Sequence, residues 1–216
     1  QWLCAYPIFQ DNRVYKPYHL KHHRFTETED DPDLALSAPF PITKKSFLRK
    51  ILRDVTGITG FRRYSQALLS ILKTHGNTTH DRLKGIWFKI HGFIITNILI
   101  FIAISIAFHW SFYFLLWWLP AFTYYSLIIR IRNIAEHCVT SGSTDLDNTR
   151  TTLTNPFVRF LMAPHRVNYH LEHHLFLMCP WYNLPKAHMM MIENGYKDKM
   201  CINHSYRSVL YKAVSA

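Results

Sequence analysis

Histidine is the residue type whose number and spacing point most directly to chemistry in this chain. The 216-residue sequence contains 14 histidines, and the pattern His-x-x-His-His occurs twice. The two copies are His19, His22 and His23, and His170, His173 and His174. On a helix, positions i, i+3 and i+4 lie on one face, so we expect the three imidazoles of each copy to converge on one point. Imidazole binds iron, copper, zinc and nickel, so the repeat predicts a metal site without selecting the metal.

The alternative is a surface patch that is merely rich in histidine. Shuffling a chain of this composition would produce two copies only roughly twice in a thousand trials, so the metal site is favoured. A further candidate lies in the stretch RNIAEH, where Asn133 and His137 are four residues apart and share a helix face. We predict His137 as a ligand, although a single histidine near a helix end is more often structural. Asn133 is a weaker candidate that would act through a bound water.

Two long apolar segments must position these residues. They cover residues 92–108 and 112–129, contain no charged residue, and are separated by His109-Trp110-Ser111. Each is just long enough for a spanning helix, which needs roughly 17–25 residues. Flanking Trp and Arg residues are typical of membrane interfaces, and both segments are apolar on every face. The sequence therefore predicts a spanning hairpin over about residues 87–131 rather than a buried hairpin of a soluble protein.

The hairpin places everything before and after it on one side of the membrane. Lys and Arg are numerous in the regions of about 10–86 and 132–216, the turn has none, and the formal net charge is +11. The excess of positive charge predicts that both regions are cytoplasmic. Residues 46–55 read as a basic amphipathic helix, either in the lipid headgroup region or packed with a solvated basic face. We predict an all-α, multi-pass integral membrane protein whose cytosolic helical cap carries the histidine motifs.

Two other features bear on the class of protein. A charge of +11 would also suit nucleic acid, but a charge-free hairpin is not expected in a nucleic-acid-binding protein, so no nucleic acid partner is predicted. The four cysteines form no CxxC pair, which favours reduced thiols. The sequence begins without Met, on the apolar run of residues 1–9. We interpret the chain as the C-terminal part of a longer protein.

Several of these stretches resemble the membrane fatty acid desaturase family. YHLKHHRF at residues 18–25, followed by DDPDL at residues 30–34, resembles the second histidine box of that family. RNIAEH resembles the additional histidine that precedes the third box. NYHLEHHLF at residues 168–176, with NLP at residues 183–185, resembles the third box and its tail. Residues 53–63 are similar to the connecting segment of bacterial members. The resemblance covers nearly the whole chain.

The resemblance implies a di-iron centre that uses O₂ and two electrons per turnover. The ligands that carry over are His19, His22, His23, His137, His170, His173 and His174. Carboxylates often accept the second N–H of a ligating imidazole. The candidates for that role are Asp31, Asp33, Glu136 and Glu172, with a solvated turn as the alternative for the acidic run. His165 is a further residue that could reach the site, although a structural role is favoured; the remaining histidines are interpreted as interfacial, loop or isolated residues.

The implied activity is the introduction of a double bond into a lipid acyl chain. The same ligands would support a hydroxylase or ketolase acting on an alkane, carotenoid or sterol. A membrane metal-binding or transport protein is the alternative of another class, but it predicts histidines inside the spanning segments, which have none. The sequence has no haem, rubredoxin or dinucleotide motif, so ferredoxin, cytochrome b5 or a similar donor is expected.

One departure from the family pattern concerns the first histidine box, of the type His-x-x-x-His. No such motif precedes His19. We therefore expect residues 1–216 to be a single desaturase-like domain that is truncated at its N-terminus. We also expect these residues alone to be inactive.

Overall fold

The computed structural model describes residues 1–140, 142 and 144–214, and this part of the chain is 67% helical with almost no strand. The α-helices are α1 (Asn12–Phe25), α2 (Leu34–Ser37), α3 (Lys44–Val55), α4 (Ile58–Leu72), α5 (Thr79–Ala107), α6 (Ser111–Tyr113), α7 (Leu119–Phe122), α8 (Tyr124–His137), α9 (Pro156–Met162), α10 (His170–Leu175), α11 (Leu184–Glu193) and α12 (Tyr206–Ala213). The strands are β1 (Thr151–Thr152) and β2 (Ile202–Asn203), which pair in parallel. The predicted all-α class is confirmed.

The chain divides into two compact units. The first contains Gln1–Pro17 and Lys50–Leu127, and the second contains Tyr18–Arg49 and the described residues from Ile128 onward. The prediction of a single desaturase-like domain stays a prediction.

The first unit contains most of the apolar hairpin. Thr78 begins α5 with a capping box, in which its hydroxyl accepts from the Asp81 amide over 3.1 Å and the Asp81 carboxylate accepts from the Thr78 amide over 3.2 Å. In the part of the chain that the structure describes, two helical runs, Thr79–Ala107 and Ser111–His137, are long and apolar enough to cross a membrane. At ~1.5 Å per residue, a 29-residue helix such as α5 exceeds the ~30 Å hydrocarbon core.

The second apolar run is less regular than the first. A π-helical turn spans Phe114–Trp118, and Pro120 follows it within α7. Proline has no backbone N–H to donate, so an unbroken α-helical hydrogen-bond ladder is not available there. Asn97 joins α5 to this run, because its Oδ1 accepts from the Tyr113 hydroxyl over 2.9 Å.

Gly60 has a different structural role from the one that the sequence predicts. The sequence predicts that Gly57 and Gly60 both interrupt helical structure between two helices. Gly57 does so, with φ +81° at the start of α4, but Gly60 lies inside α4. A Cβ at Gly60 would come within 2.6 Å of the Phe122 Cα, so glycine is needed for the close approach of two backbones.

The described residues of the second unit form two small apolar cores. In the first, Ile134 and Cys138 at the end of α8 pack against Val209 and Ala213 of α12. In the second, Leu171 of α10 packs against residues in and after α11. The histidine-bearing ends of α8 and α10 are thereby packed against buried apolar neighbours.

Candidate metal centre

All seven predicted ligand residues lie in the second unit and form two groups. The four-histidine group contains His22, His137, His170 and His174. The three-histidine group contains His19, His23 and His173. Within each group, one nitrogen from every ring lies within 4.8 Å of those of the others. The groups are neighbours, since the His23 and His174 rings stack with their centroids 4.0 Å apart.

The structure corrects the expectation that each His-x-x-His-His motif converges on one point. His19 and His23 of the first motif enter the three-histidine group, while His22 enters the other. The second motif divides in the same way, because His173 separates from its two partners. At ~100° per residue, positions i and i+4 lie about 40° apart, whereas i+3 and i+4 lie about 100° apart. The i, i+4 pair therefore serves one group and the i+3 residue serves the neighbouring one.

The spacing of the ring nitrogens fits metal ligation. In the four-histidine group, His170 Nε2 is 2.8 Å from His137 Nε2 and 3.1 Å from His174 Nε2. In the three-histidine group, His19 Nε2 is 3.0 Å from His23 Nε2 and 3.4 Å from His173 Nε2. Two nitrogens at ~2.1 Å from one ion would be roughly 3.0–3.4 Å apart at octahedral or tetrahedral angles.

In His22 and in His174, a hydrogen bond to Nδ1 determines which ring nitrogen carries the proton. His22 Nδ1 lies 2.8 Å from the buried carboxylate of Asp31 and donates to it, because a carboxylate only accepts. The Thr26 hydroxyl donates to the His22 carbonyl over 2.8 Å, so it accepts from His174 Nδ1 over 3.1 Å. In both rings the Nε2 lone pair is left for the four-histidine group, which is the arrangement a metal ion requires.

Burial lowers the pKa of five of these imidazoles and so favours their neutral form. Burial, followed by the proximity of His173, lowers the pKa of His19 to about 4. Burial and the neighbouring His19 lower the pKa of His23 to about 3. Burial also lowers the pKa of His173, and those of His170 and His174 fall well below the usual value of 6.5. Neutral imidazole is the form that binds metal, so no proton must be displaced from it near pH 7.

The carboxylates differ in what they contact. Glu136 accepts from Arg132 Nε over 3.0 Å, and its other oxygen lies 3.9 Å from His170 Nδ1, beyond hydrogen-bond range. Asp33 Oδ2 lies 3.7 Å from His22 Nδ1. Asp31, by contrast, is in hydrogen-bond contact with His22.

The hydrogen-bond partners of Glu172 differ from those predicted from the sequence. Its fully buried carboxylate accepts from His188 Nδ1 over 2.6 Å and from the Thr151 hydroxyl, rather than from one of the seven histidines. His188 is buried, although its position in the sequence suggests an isolated residue.

The two weakest candidates lie outside both groups. The described contact of the Asn133 side chain is with Cys138 Sγ, at 4.0 Å from Oδ1. His165 is exposed, and its ring packs edge-on against Trp181 with centroids 5.1 Å apart.

Sequence reasoning missed two contacts near the site, that of Thr26 with His174 and that of His188 with Glu172. Thr26 follows His22 by four residues, a spacing that could have identified it as a helix neighbour. His188 offers no such signal, because Glu172 lies 16 residues away in the sequence.

An all-α chain with seven histidines in two adjacent groups has the features of a helical metalloprotein. A model of the fatty acid desaturase family matches residues 1–206, so the chain belongs to that family. Membership indicates an oxidoreductase-type enzyme of a di-iron family that acts on fatty acids. The chain has no significant match among curated proteins or solved structures.

Proposed function

We propose that this chain forms the metal-binding part of a membrane di-iron enzyme that introduces a double bond into a lipid acyl chain, using O₂. The observation that carries the proposal is the convergence of seven histidine rings in two adjacent groups within a desaturase-family chain. One iron would be held by His22, His137, His170 and His174. The other would be held by His19, His23 and His173.

The donor set fits iron in its chemistry. Both groups offer imidazole nitrogens, which are suitable ligands for iron. A bound di-iron pair would supply the oxygen-dependent redox chemistry needed to remove hydrogen from an unactivated C–H bond. The protein's own task is to hold the imidazoles in place. Asp31 and Thr26 do so by fixing the ring orientation and the proton position of His22 and His174.

The remaining parts of the proposal follow from the family and from the apolar helices. The substrate is a lipid acyl chain, and the electrons come from ferredoxin, cytochrome b5 or a similar donor, since the chain has no redox motif of its own. Thr79–Ala107 and Ser111–His137 span the bilayer, and the histidines face the cytoplasm.

Expression of the natural full-length protein in a bacterial host without acyl desaturases tests this activity. Mass spectrometry of the membrane lipids is expected to show new double bonds. His170→Ala removes a member of the four-histidine group and should abolish them, while His204→Ala alters an exposed histidine outside both groups and should not. New hydroxyl groups instead of double bonds would identify the hydroxylase alternative. Unchanged lipids, with two irons bound, a competent donor present and O₂ supplied, would contradict an acyl substrate.

A further inference from the structure

Arg150 is a buried cation at the end of the helix that carries His137. The residue is 1% exposed. Its guanidinium nitrogens donate to four backbone carbonyls, those of Ile134, Ala135, Cys138 and Val139, at 2.7–3.4 Å. Its backbone amide also donates to the carbonyl of Glu136 over 2.9 Å.

These contacts satisfy a specific need of α8. The last carbonyls of a helix have no intrahelical partner, and they carry a partial negative charge that a cation stabilises. Among the described residues, no carboxylate forms an ion pair with Arg150. The buried charge is therefore compensated by carbonyl oxygens alone. The Thr140 hydroxyl donates to the carbonyl of His137 itself over 3.2 Å, so this carbonyl at the helix end also has a donor.

The residues next to Arg150 extend the same support to α10. Thr151 donates through its hydroxyl to Glu172, and the Thr152 amide donates to the Asn168 carbonyl over 2.9 Å. Thr149 to Thr152 are all at most 2% exposed. One short buried segment thus contacts the end of α8, which supplies His137, and the start of α10, which supplies His170.

We infer that Arg150 is a positioning residue that holds His137 in the four-histidine group, and through it the ion bound there. The inference rests on the proposed function, because it assumes that this group binds metal. Among the described residues, no hydrogen bond joins Arg150 to an imidazole. Its effect reaches the group through the backbone on both sides of His137, where five carbonyls between Ile134 and Val139 accept its donors.

The test is iron content per chain in the natural full-length protein, with Arg150→Met as the variant. Wild type is expected to bind two irons, and Arg150→Met is expected to bind the ion of the four-histidine group about 10–100-fold more weakly, as for other residues that orient a metal ligand. A chelator titration measures that change. Arg207→Met is the matched control, since Arg207 is exposed on α12.

A general loss of stability would give a different pattern. Arg150→Met should leave the ion of the three-histidine group in place and add no further loss in a His137→Ala background, because both changes act on one ligand. Arg150→Lys keeps the charge but has fewer donors, so an intermediate affinity for the ion of the four-histidine group is expected. If the Met variant does not fold, Arg150→Lys serves as the test of the inference.

The inference would be overturned if Arg150→Met kept two irons with unchanged affinity. If Arg150→Met does not fold, the same result in Arg150→Lys would overturn it. Equal weakening of both ions would overturn it as well. A wild type without two irons would instead overturn the proposed function, and this inference with it.

Discussion

His22 and Asp31 form a buried pair in which the imidazole Nδ1 lies 2.8 Å from a carboxylate oxygen. The Asp31 carboxylate also accepts the backbone amides of Glu27 over 2.9 Å and Asp33 over 2.8 Å. Two backbone hydrogen bonds hold the Asp31 carboxylate in place, and the carboxylate in turn orients the His22 ring. His22 therefore presents Nε2 to the four-histidine group in one orientation.

Asp31→Asn should weaken metal binding without unfolding the protein. The asparagine amide is neutral and has a single acceptor oxygen. It therefore cannot replace the charged carboxylate, which accepts from the His22 N–H and from two backbone amides. Loss of such a partner costs metal affinity by about 10–100-fold. Competition with a chelator measures the effect, and Asp30→Asn, at an exposed neighbouring position, should leave affinity unchanged. Equal affinities for the two variants would contradict the role of Asp31.

Thr26→Val tests the second orienting contact. Valine has nearly the shape of threonine but removes the oxygen that accepts from His174 Nδ1. We expect roughly tenfold weaker metal binding, at the lower end of the range for such partners. Thr28→Val removes an exposed hydroxyl that donates only to the Phe25 carbonyl over 2.7 Å, and should have no effect. The same loss in both variants would indicate damage to the segment rather than to the site.

Gly60→Ala should destabilise the first unit. The added methyl group would meet the backbone of Phe122, which cannot move aside as a flexible side chain can. Overpacking of this kind costs about 1–3 kcal/mol. Gly85→Ala in α5 is the control, because the nearest atom there is the Thr74 side-chain methyl at 3.0 Å. Thermal unfolding in detergent measures both; an unchanged midpoint for Gly60→Ala would show that the two backbones are not in close contact.

The proposed topology predicts opposite labelling of two exposed positions. Ser111→Cys places a thiol in the turn of the hairpin, and Lys45→Cys places one on α3. A membrane-impermeant maleimide added to intact cells should label Ser111→Cys above the background of the parent protein. Lys45→Cys should gain label only after the membrane is opened. The reverse pattern would place the histidines outside the cytoplasm.

The features that sequence could predict are those set by local spacing. The two His-x-x-His-His motifs identify the clustered histidines, and residues 46–55 identify the amphipathic helix observed as α3. Uninterrupted apolar composition identifies α5 and the run that follows it.

The features that sequence could not predict depend on contacts between distant residues. Each motif is divided between two groups according to which imidazoles of the other helix lie opposite its own. That division can be known only once α1 is packed against α10. Glu172 meets His188, 16 residues away, and Arg150 meets carbonyls 11 to 16 residues away. Gly60 reads as a helix breaker until Phe122 is placed beside it.

The central claim is that each histidine group binds one iron, and iron content per chain tests it most directly. In the natural full-length protein purified in detergent, we predict two irons for wild type and one for either His137→Ala or His173→Ala. The double variant should bind none, and His204→Ala should keep two. Zinc in place of iron, no metal in wild type, or two irons retained in the double variant would contradict the account.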